Sequence, residues 1–522
     1  MRTHTTSPLA AIEPRLRPLL PADLYAAAWI NPNSETLMKV FEHLRTLQRL
    51  LYDYLPRPLL SNLPAPGEMV YEWQEGTLMF TDLAGFTPLM EANAKHGEEG
   101  AQALLRLLNS YFAAMIEILS KSGGHLLEFT GDAMLVQFMA DIRRADAAQA
   151  VRAGLRMQRE MAARFSQIET EQGVYSLGMR VGLHTGQFLT ANIGTPRRME
   201  HVMLGTAVQQ TKKAEGAGKV GRVNLTEATY ERIKNDYRCE PGENNHWLVV
   251  DDLADKDLGT YDISAATRRL PSAVLFDRSV EGLIGEIEKM VAQIEPMACY
   301  IPLPILNLMI SSTLRRHIEP QFDNPTVIFV NLIGIPQSAD LAKGGEEEHL
   351  VTVYSRLFAL INAAAEARGG VLKKVTYHLY GSDMMILFGT PVSYTDDPLR
   401  AVAAALAIRE IIDSEADLFI REQKVEVACQ LGIARGSVFT AEIGEPRGRR
   451  EFNVLSDTVN TAARLMSRAQ YSQILMTQAV YDAVKHQFQC EDLGAVSLKG
   501  KATPTPLYAL QSVLAEEKIQ RA

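Results

Sequence analysis

Two aspartates in the first half of the chain stand where carboxylates can do chemistry. Asp82 ends the apolar run Thr77-Leu78-Met79-Phe80 and is followed by Leu83-Ala84-Gly85-Phe86-Thr87, a turn whose backbone amides can face an anion. Asp132 occupies Thr130-Gly131-Asp132, the tight turn of a hairpin read over residues 125–138. Each alone is ordinary turn chemistry. Brought together at neighbouring strand ends, the two repel unless a divalent cation joins them, and oxygen-only ligands of this kind suit Mg2+ or Mn2+. In the second half, Asn460 and Arg464 lie four residues apart in Val459-Asn460-Thr461-Ala462-Ala463-Arg464, on one helix face from which both can reach the same ligand. The three small residues between them would let that helix approach a bound molecule closely.

The elements that position these groups are written twice. Phe80-Thr81-Asp82-Leu83-Ala84-Gly85, Gly131-Asp132-Ala133, Arg180-Val181-Gly182-Leu183-His184-Thr185-Gly186 and Leu204-Gly205-Thr206-Ala207-Val208-Gln209 recur as Phe329-Val330-Asn331-Leu332-Ile333-Gly334, Gly381-Ser382-Asp383, Gln430-Leu431-Gly432-Ile433-Ala434-Arg435-Gly436 and Leu455-Ser456-Asp457-Thr458-Val459-Asn460, at offsets of 249 to 251 residues. Asp82 and Asp132 become Asn331 and Ser382, whereas Gln209 and Lys213 become Asn460 and Arg464. Random decay would strip both copies without pattern. Complementary loss is what one composite site built from both halves requires.

Each copy reads as strand (78–83; 326–332), helix (97–121; 347–367), hairpin (125–138; 371–388), helix (144–165; 397–413), strand (179–184; 425–433) and a helix after 205 or 456. The copies close alike, with Leu258-Gly259-Thr260-Tyr261-Asp262 and with Leu498-Lys499-Gly500-Lys501 leading to Tyr508. That order implies an α+β fold with helices on one sheet face. An amphipathic helix precedes each copy. Leu37, Val40, Phe41, Leu44, Leu47, Leu51 and Tyr54 form one stripe, with Ser34 the expected N-cap, and Val280, Leu283, Ile284, Ile287, Met290, Val291 and Ile294 form another. Such a helix either simply packs or couples the orientations of two domains, and it is the expected place for a regulatory partner or self-association.

At 522 residues the chain exceeds one core, and 47% hydrophobic with 22% charged residues is ordinary for a globular protein. A net charge of −9 speaks against nucleic acid or an anionic membrane as partner. The four cysteines show neither a disulfide framework nor zinc-ligand spacing, and Pro8, Glu13 and Pro14 interrupt any signal-like N-terminus. The apolar stretch from Met297 to Leu314 contains Pro302 and Pro304 and is too short to span a bilayer comfortably. No transmembrane segment and a cytoplasmic location are expected.

The ordered set FTDLAGFT, Gly-Asp hairpin, RVGLHTG and VNTAAR resembles the class III nucleotidyl cyclases, over roughly residues 70–265 and 322–511, with the tandem architecture of the bicarbonate-responsive soluble adenylyl cyclases. The resemblance implies two ferredoxin-like domains forming a pseudo-heterodimer: an N-terminal helical segment 1–69, a metal-binding half 70–268, a helical linker 269–321 and a base- and transition-state-binding half 322–515. It implies ATP as substrate, converted to 3′,5′-cyclic AMP and pyrophosphate, with two Mg2+ or Mn2+ ions on Asp82 and Asp132. Phe86 and Thr87 would lie under the triphosphate, Arg180 would meet the β/γ-phosphates, Asn460 would orient the ribose and Arg464 would stabilise charge on the α-phosphate. Lys374, seven before the hairpin glycine Gly381, would read the base with Asn453 and Val454; Lys373 is its rival, and His378 falls where single-domain cyclases place the reader. A lysine donates to adenine N1, which accepts, but not to guanine N1, which carries a hydrogen. Glu128 falls where the bicarbonate-responsive enzyme has a lysine, and Lys212 where it has an arginine; a carboxylate at 128 speaks against activation by that anion. The alternatives are a guanylate cyclase and a catalytically silent nucleotide-binding regulator.

Overall fold

The computed structural model describes residues 9–140, 146–170, 173–258, 277–378, 381–415, 417–445, 448–498 and 503–514. Its first long element is α1, Ser34–Tyr54, capped by Asn33 rather than Ser34: the Asn33 side chain accepts from the Thr36 amide at 2.9 Å. The expected stripe is buried, and it lies along the stripe of the helix Val280–Ala298 that precedes the second copy. Gln48 donates to Gln293 across this pair at 2.7 Å. Both helices end in Tyr-X-Pro turns, and each tyrosine reaches the copy that its own helix does not precede. Tyr54 donates to Glu442 at 2.7 Å, and Tyr300 donates to Asn192 at 3.0 Å. Arg450, buried between Asp53 at 3.0 Å and Glu442 at 2.8 Å, ties the first helix to the second domain. The helices therefore do more than cover apolar surface, because each connector reaches the domain that it does not precede.

Domain 1 is built on β1 (Tyr71–Ala84), the hairpin β2 (His125–Thr130) and β3 (Ala133–Met139), and the long β4 (Gly178–Thr195), whose far end pairs with β5 (Arg198–Leu204). The order β2-β3-β1-β4 is antiparallel throughout, and short strands continue the sheet beyond β4. Domain 2 repeats this with β6 (Thr326–Ile333), the hairpin β7 (Val371–His378) and β8 (Gly381–Phe388), and β9 (Ala428–Arg435). There the counterpart of the β4 extension is a separate strand, β10 (Val438–Gly444), paired with β11 (Arg450–Leu455). Residues 259–276 and 499–502 lie outside the described set, so of the motifs expected to close each copy only Leu258, Leu498 and Tyr508 are seen.

Alternation along the strands sends one set of side chains toward the domain's own helices and the other toward its partner domain. Met79, Leu83, Val136 and Met179 pack with Tyr111, Phe112 and Met115 of the helix Gly97–Lys121. Among the described residues this is the one helix long and apolar enough to cross a membrane, and its apolar face is buried in the domain core. Leu78, Phe80, Leu135 and Met203 form the interdomain layer.

The interface is pseudo-twofold. The Gly194 amide donates to Ser355 Oγ at 2.9 Å, and its counterpart Gly444 donates to Asn109 Oδ1 at 3.2 Å. Arg198 reaches the Lys373 carbonyl at 3.3 Å, and its counterpart Arg449 reaches the Leu127 carbonyl at 3.2 Å.

Candidate active site

Domain 1 assembles its acids where β1 ends. At residue 85 the backbone has φ of +86°, and a Cβ there would meet the Ser176 carbonyl oxygen at 2.4 Å, so only glycine fits. The chain turns at this point into the helix Phe86–Ala94. Phe86 buries its side chain in the domain core, so what it can offer a ligand is backbone: the first amides of that helix have no intrahelical acceptor. The Thr87 side chain lies outside the described residues.

Asp132 stands at the β2–β3 tip after Gly131, which has φ of +67°. Burial, and after it the Asp82 carboxylate, push Asp132 up to about 7. A buried carboxyl raised by a neighbouring carboxylate marks a site that a cation relieves. Among the described residues no third acidic, histidine or cysteine ligand joins them. Two carboxylates without further side-chain ligands fit Mg2+ or Mn2+ completed by substrate phosphates, and do not fit a closed zinc site.

Strand register places Arg180 directly opposite Asp82, and Arg180 Nη2 donates to Asp82 Oδ2. On its other side Arg180 Nε lies 3.2 Å from the buried Glu215 carboxylate, which also holds Lys212 at 3.1 Å. Burial works against the Arg180 charge, but Asp82, Glu215 and Asp132 outweigh it and raise its pKa. At the same two register positions domain 2 carries Asn331 and Gln430, and Asn331 Nδ2 donates to Gln430 Oε1 at 2.9 Å. An ion pair in one copy is thus an amide pair in the other. Ser382 occupies the place of Asp132. Its neighbour Asp383 is a buried carboxyl opposite Asn331, pushed up to about 8 by burial and by Glu128.

Domain 2 meets this site through β11. Asn453 Nδ2 donates to the Gly131 carbonyl at 3.2 Å, one residue before Asp132, while Asn453 Oδ1 accepts from Val454 N at 2.9 Å and from Lys373 Nζ at 3.3 Å. The Val454 amide is therefore already engaged by its neighbour's side chain. The β7–β8 pairing shifts register between Leu372 and Lys374, and a bulge of this kind can turn two successive side chains to one side. Both lysines are buried and both pair with Glu451 Oε1, Lys373 at 2.6 Å and Lys374 at 2.7 Å; Lys374 also donates to the Phe129 carbonyl. Matching the two hairpins by register makes Glu128 the counterpart of Lys374. Asn460 and Arg464 follow on the helix Asp457–Arg468, entered directly from β11 and capped by Ser456, whose Oγ accepts from Val459 N at 3.2 Å. Asn460 is exposed; Arg464 is half-buried with Asp457 at 3.5 Å.

Residues 69–255 and 318–512 each match the adenylate and guanylate cyclase catalytic domain. The chain belongs to this class III cyclase family. Its two matched segments are two cyclase domains in tandem. Adenylate cyclase type 10 of Mus musculus and of Homo sapiens is 23% identical over 458 and 474 residues, covering 83% and 87% of this chain; the chain spans only 26% and 28% of those relatives' length. A solved structure described as a class III adenylyl cyclase-like ATP-binding protein from Pseudomonas aeruginosa shares the fold over 84% of this chain and 92% of its own, with a TM-score of 0.54 at 12% identity.

Within this cyclase pair, Asp82, Asp132 and Arg180 meet in domain 1, and from domain 2 Asn453 and Lys374 reach the backbone of the β2–β3 hairpin at Gly131 and Phe129. One expectation is corrected. Thr461 and Ala462 are buried against the domain's own sheet, where a Cβ on Gly432 would meet the Ala462 carbonyl at 2.2 Å, so the small residues between Asn460 and Arg464 permit helix–sheet contact rather than approach to a ligand. Glu451 and Glu215 do not stand out in the sequence. Glu451 has a signal all the same: it lies two residues before Asn453, and residues i and i+2 of a strand share a face.

Proposed function

We propose that the chain cyclises ATP to 3′,5′-cyclic AMP and pyrophosphate at one composite site between its domains. The observation that carries this reading is the asymmetry at matched register positions: Asp82 with Arg180 in one copy, Asn331 with Gln430 in the other. A fold kept only for shape has no need to retain the charged set on one side alone. Asp82 and Asp132 would hold two Mg2+ or Mn2+ ions, which lower the cost of the charge that develops on the 3′-oxygen and on the phosphates.

The remaining work falls to side chains and backbone. Arg180, which pairs with Asp82, has the length to turn to the β/γ-phosphates. The first amides of the helix Phe86–Ala94 add partial positive charge for the same oxygens. Asn460 would hold the ribose so that its 3′-hydroxyl points at the α-phosphorus, and Arg464 would meet charge on the α-phosphate in the transition state. Preorganised charge of this kind supplies most of the rate enhancement in many enzymes. Lys374 favours adenine over guanine. Cytoplasmic location and a regulatory partner on the paired helices belong to the same reading.

The test is purified protein with Mn2+ or Mg2+, given ATP and GTP separately, with cyclic products resolved by mass. Cyclic AMP as the main product supports the reading, and cyclic GMP as the main product replaces it with a guanylate cyclase. A silent nucleotide-binding regulator is the second reading, suggested by the solved structure of the same fold that is described as a cyclase-like ATP-binding protein. Nucleotide bound without any cyclic product would decide for that alternative.

A further inference from the structure

We infer that the junction of the first connector helix with the two domains is a binding site for a small organic phosphate, separate from the cyclase cleft. A cavity of about 550 Å3 opens where three bodies meet: Arg49 on α1, Leu105 on the helix Gly97–Lys121 of domain 1, and Arg316 and Glu442 at the entry to domain 2 and on its β10. It shares no lining residue with the candidate active site, so it does not depend on the reading as an ATP cyclase.

Both carboxylates on its wall already have partners. Asp53 pairs with Arg450 at 3.0 Å and with Arg57 at 3.7 Å, and Glu442 accepts from Arg450 at 2.8 Å and from Tyr54 at 2.7 Å. Arg450 also donates to the Arg316 carbonyl at 2.9 Å, and His317 lies 3.5 Å from Glu319. Arg49 and Arg316 are left over. Both are exposed, and among the described residues no hydrogen bond or ion pair engages either guanidinium. Leu50, Leu105 and Ile318 give the same cavity an apolar wall. Two guanidiniums beside an apolar wall suit a phosphomonoester, whose terminal oxygens accept from both forks while its organic group covers the wall.

The pseudo-twofold shows that packing a connector against a domain does not require these charges. Aligned through the Tyr-X-Pro turns, the matched strands and their register, the mirror positions of Arg49, Asp53, Arg316, Glu442 and Arg450 are Glu295, Cys299, Gly67, Asn192 and Met199. Only position 295 keeps a charge, of opposite sign, and it is paired with Arg15 of the N-terminal segment at 2.8 Å. Arg316 has φ of +62°, and Gly67 makes the same left-handed turn at +85°. Glycine takes that conformation without the cost an arginine bears, so the turn alone does not call for arginine. Asp53, Glu442 and Arg450 tie α1 to domain 2. Arg49 and Arg316 tie nothing within the protein, and a phosphate held by both would bridge α1 to the entry of domain 2.

The experiment titrates phenyl phosphate and inorganic phosphate separately into the full chain in metal-free buffer, followed by calorimetry and by thermal unfolding. Phenyl phosphate should saturate one site per chain and raise Tm. Inorganic phosphate should bind at least about tenfold more weakly, because it leaves the apolar wall uncovered. Arg49→Gln and Arg316→Gly should each weaken phenyl phosphate by about tenfold or more. Without ligand, Arg316→Gly should melt no lower than wild type, since glycine holds the same turn at residue 67; lost binding in that variant is then not lost folding. Binding of phenyl phosphate that survives both substitutions lies elsewhere and overturns the inference. So would the absence of saturable binding, or equal affinity for the two phosphates, which would leave a general anion site with no organic ligand. Cyclic product does not enter these readouts, so this inference and the cyclase reading fail separately.

Discussion

Replacing Glu128 with glutamine should stabilise the protein at alkaline pH and do little at acid pH. Glu128 is buried in the first strand of the first hairpin, three residues before Gly131, where the second hairpin has Lys374. Burial is the main reason its pKa rises from 4.5 to about 7; Lys374 and a hydrogen bond from Thr130 pull the other way without cancelling it. Between those values the folded protein keeps a proton that the unfolded chain releases. The contribution of this group to stability is therefore complete below its unfolded pKa, declines as pH rises, and is lost above about 7. At about 1.4 kcal/mol per unit, the interval corresponds to roughly 3 kcal/mol.

Glutamine cannot ionise, has nearly the same shape and still accepts from Thr130. The stability difference between Glu128→Gln and wild type should therefore grow from near zero at acid pH to about 3 kcal/mol in favour of the variant above neutral pH. Asp383 feels the Glu128 charge and should become easier to ionise in the variant. Urea unfolding midpoints, measured across this pH range at unchanged m, read the effect directly. A difference that stays constant with pH would refute the reasoning. A variant less stable than wild type at alkaline pH would also refute it, by showing that Glu128 is ionised and paired with Lys374 despite its burial.

Asp82→Asn and Asp132→Asn should each lower turnover at least about a hundredfold while the fold survives; Asp132→Asn should melt no lower than wild type in metal-free buffer, because it removes a carboxyl that burial and Asp82 already disfavour. Asn331→Asp buries a carboxylate beside a neutral amide and should cost about 3–5 kcal/mol in urea unfolding, with Gln430→Arg in the same chain recovering most of it; full additivity of the two changes would show that the register match with Asp82 and Arg180 is not an energetic one. Residues 1–268 and 269–522 expressed separately should each be inactive and regain some activity on mixing, since neither half holds both the acids and the Asn460–Arg464 pair; cyclic product from the first half alone would assign Gln209 and Lys213 a catalytic part.

The features legible in the sequence are those fixed by type and order along the chain. Duplicated motifs reveal two domains, and alternating and helical periods give their elements, because burial of one face leaves a periodic trace. What stays hidden depends on which residues face each other across strands. The repeat aligns Asn331 with Asp82 and Gln430 with Arg180, but the members of each pair are about a hundred positions apart, and only strand pairing shows that they face each other. The spacing to Gly381 favours Lys374 over Lys373, but the bulge after Leu372 brings both onto one carboxylate. Asn453 reads as a base contact from its position alone, yet its amide is engaged on both sides by neighbours from two elements. Burial misleads in the same way at Phe86 and at Ala462, where apolar or small side chains beside a functional turn or helix satisfy the domain's own packing. The candidate acids can be found from sequence because their chemistry is intrinsic to the side chain. The groups that tune and position them cannot, because a glutamate held by two lysines and one held by an arginine are the same letter until the fold determines its neighbours.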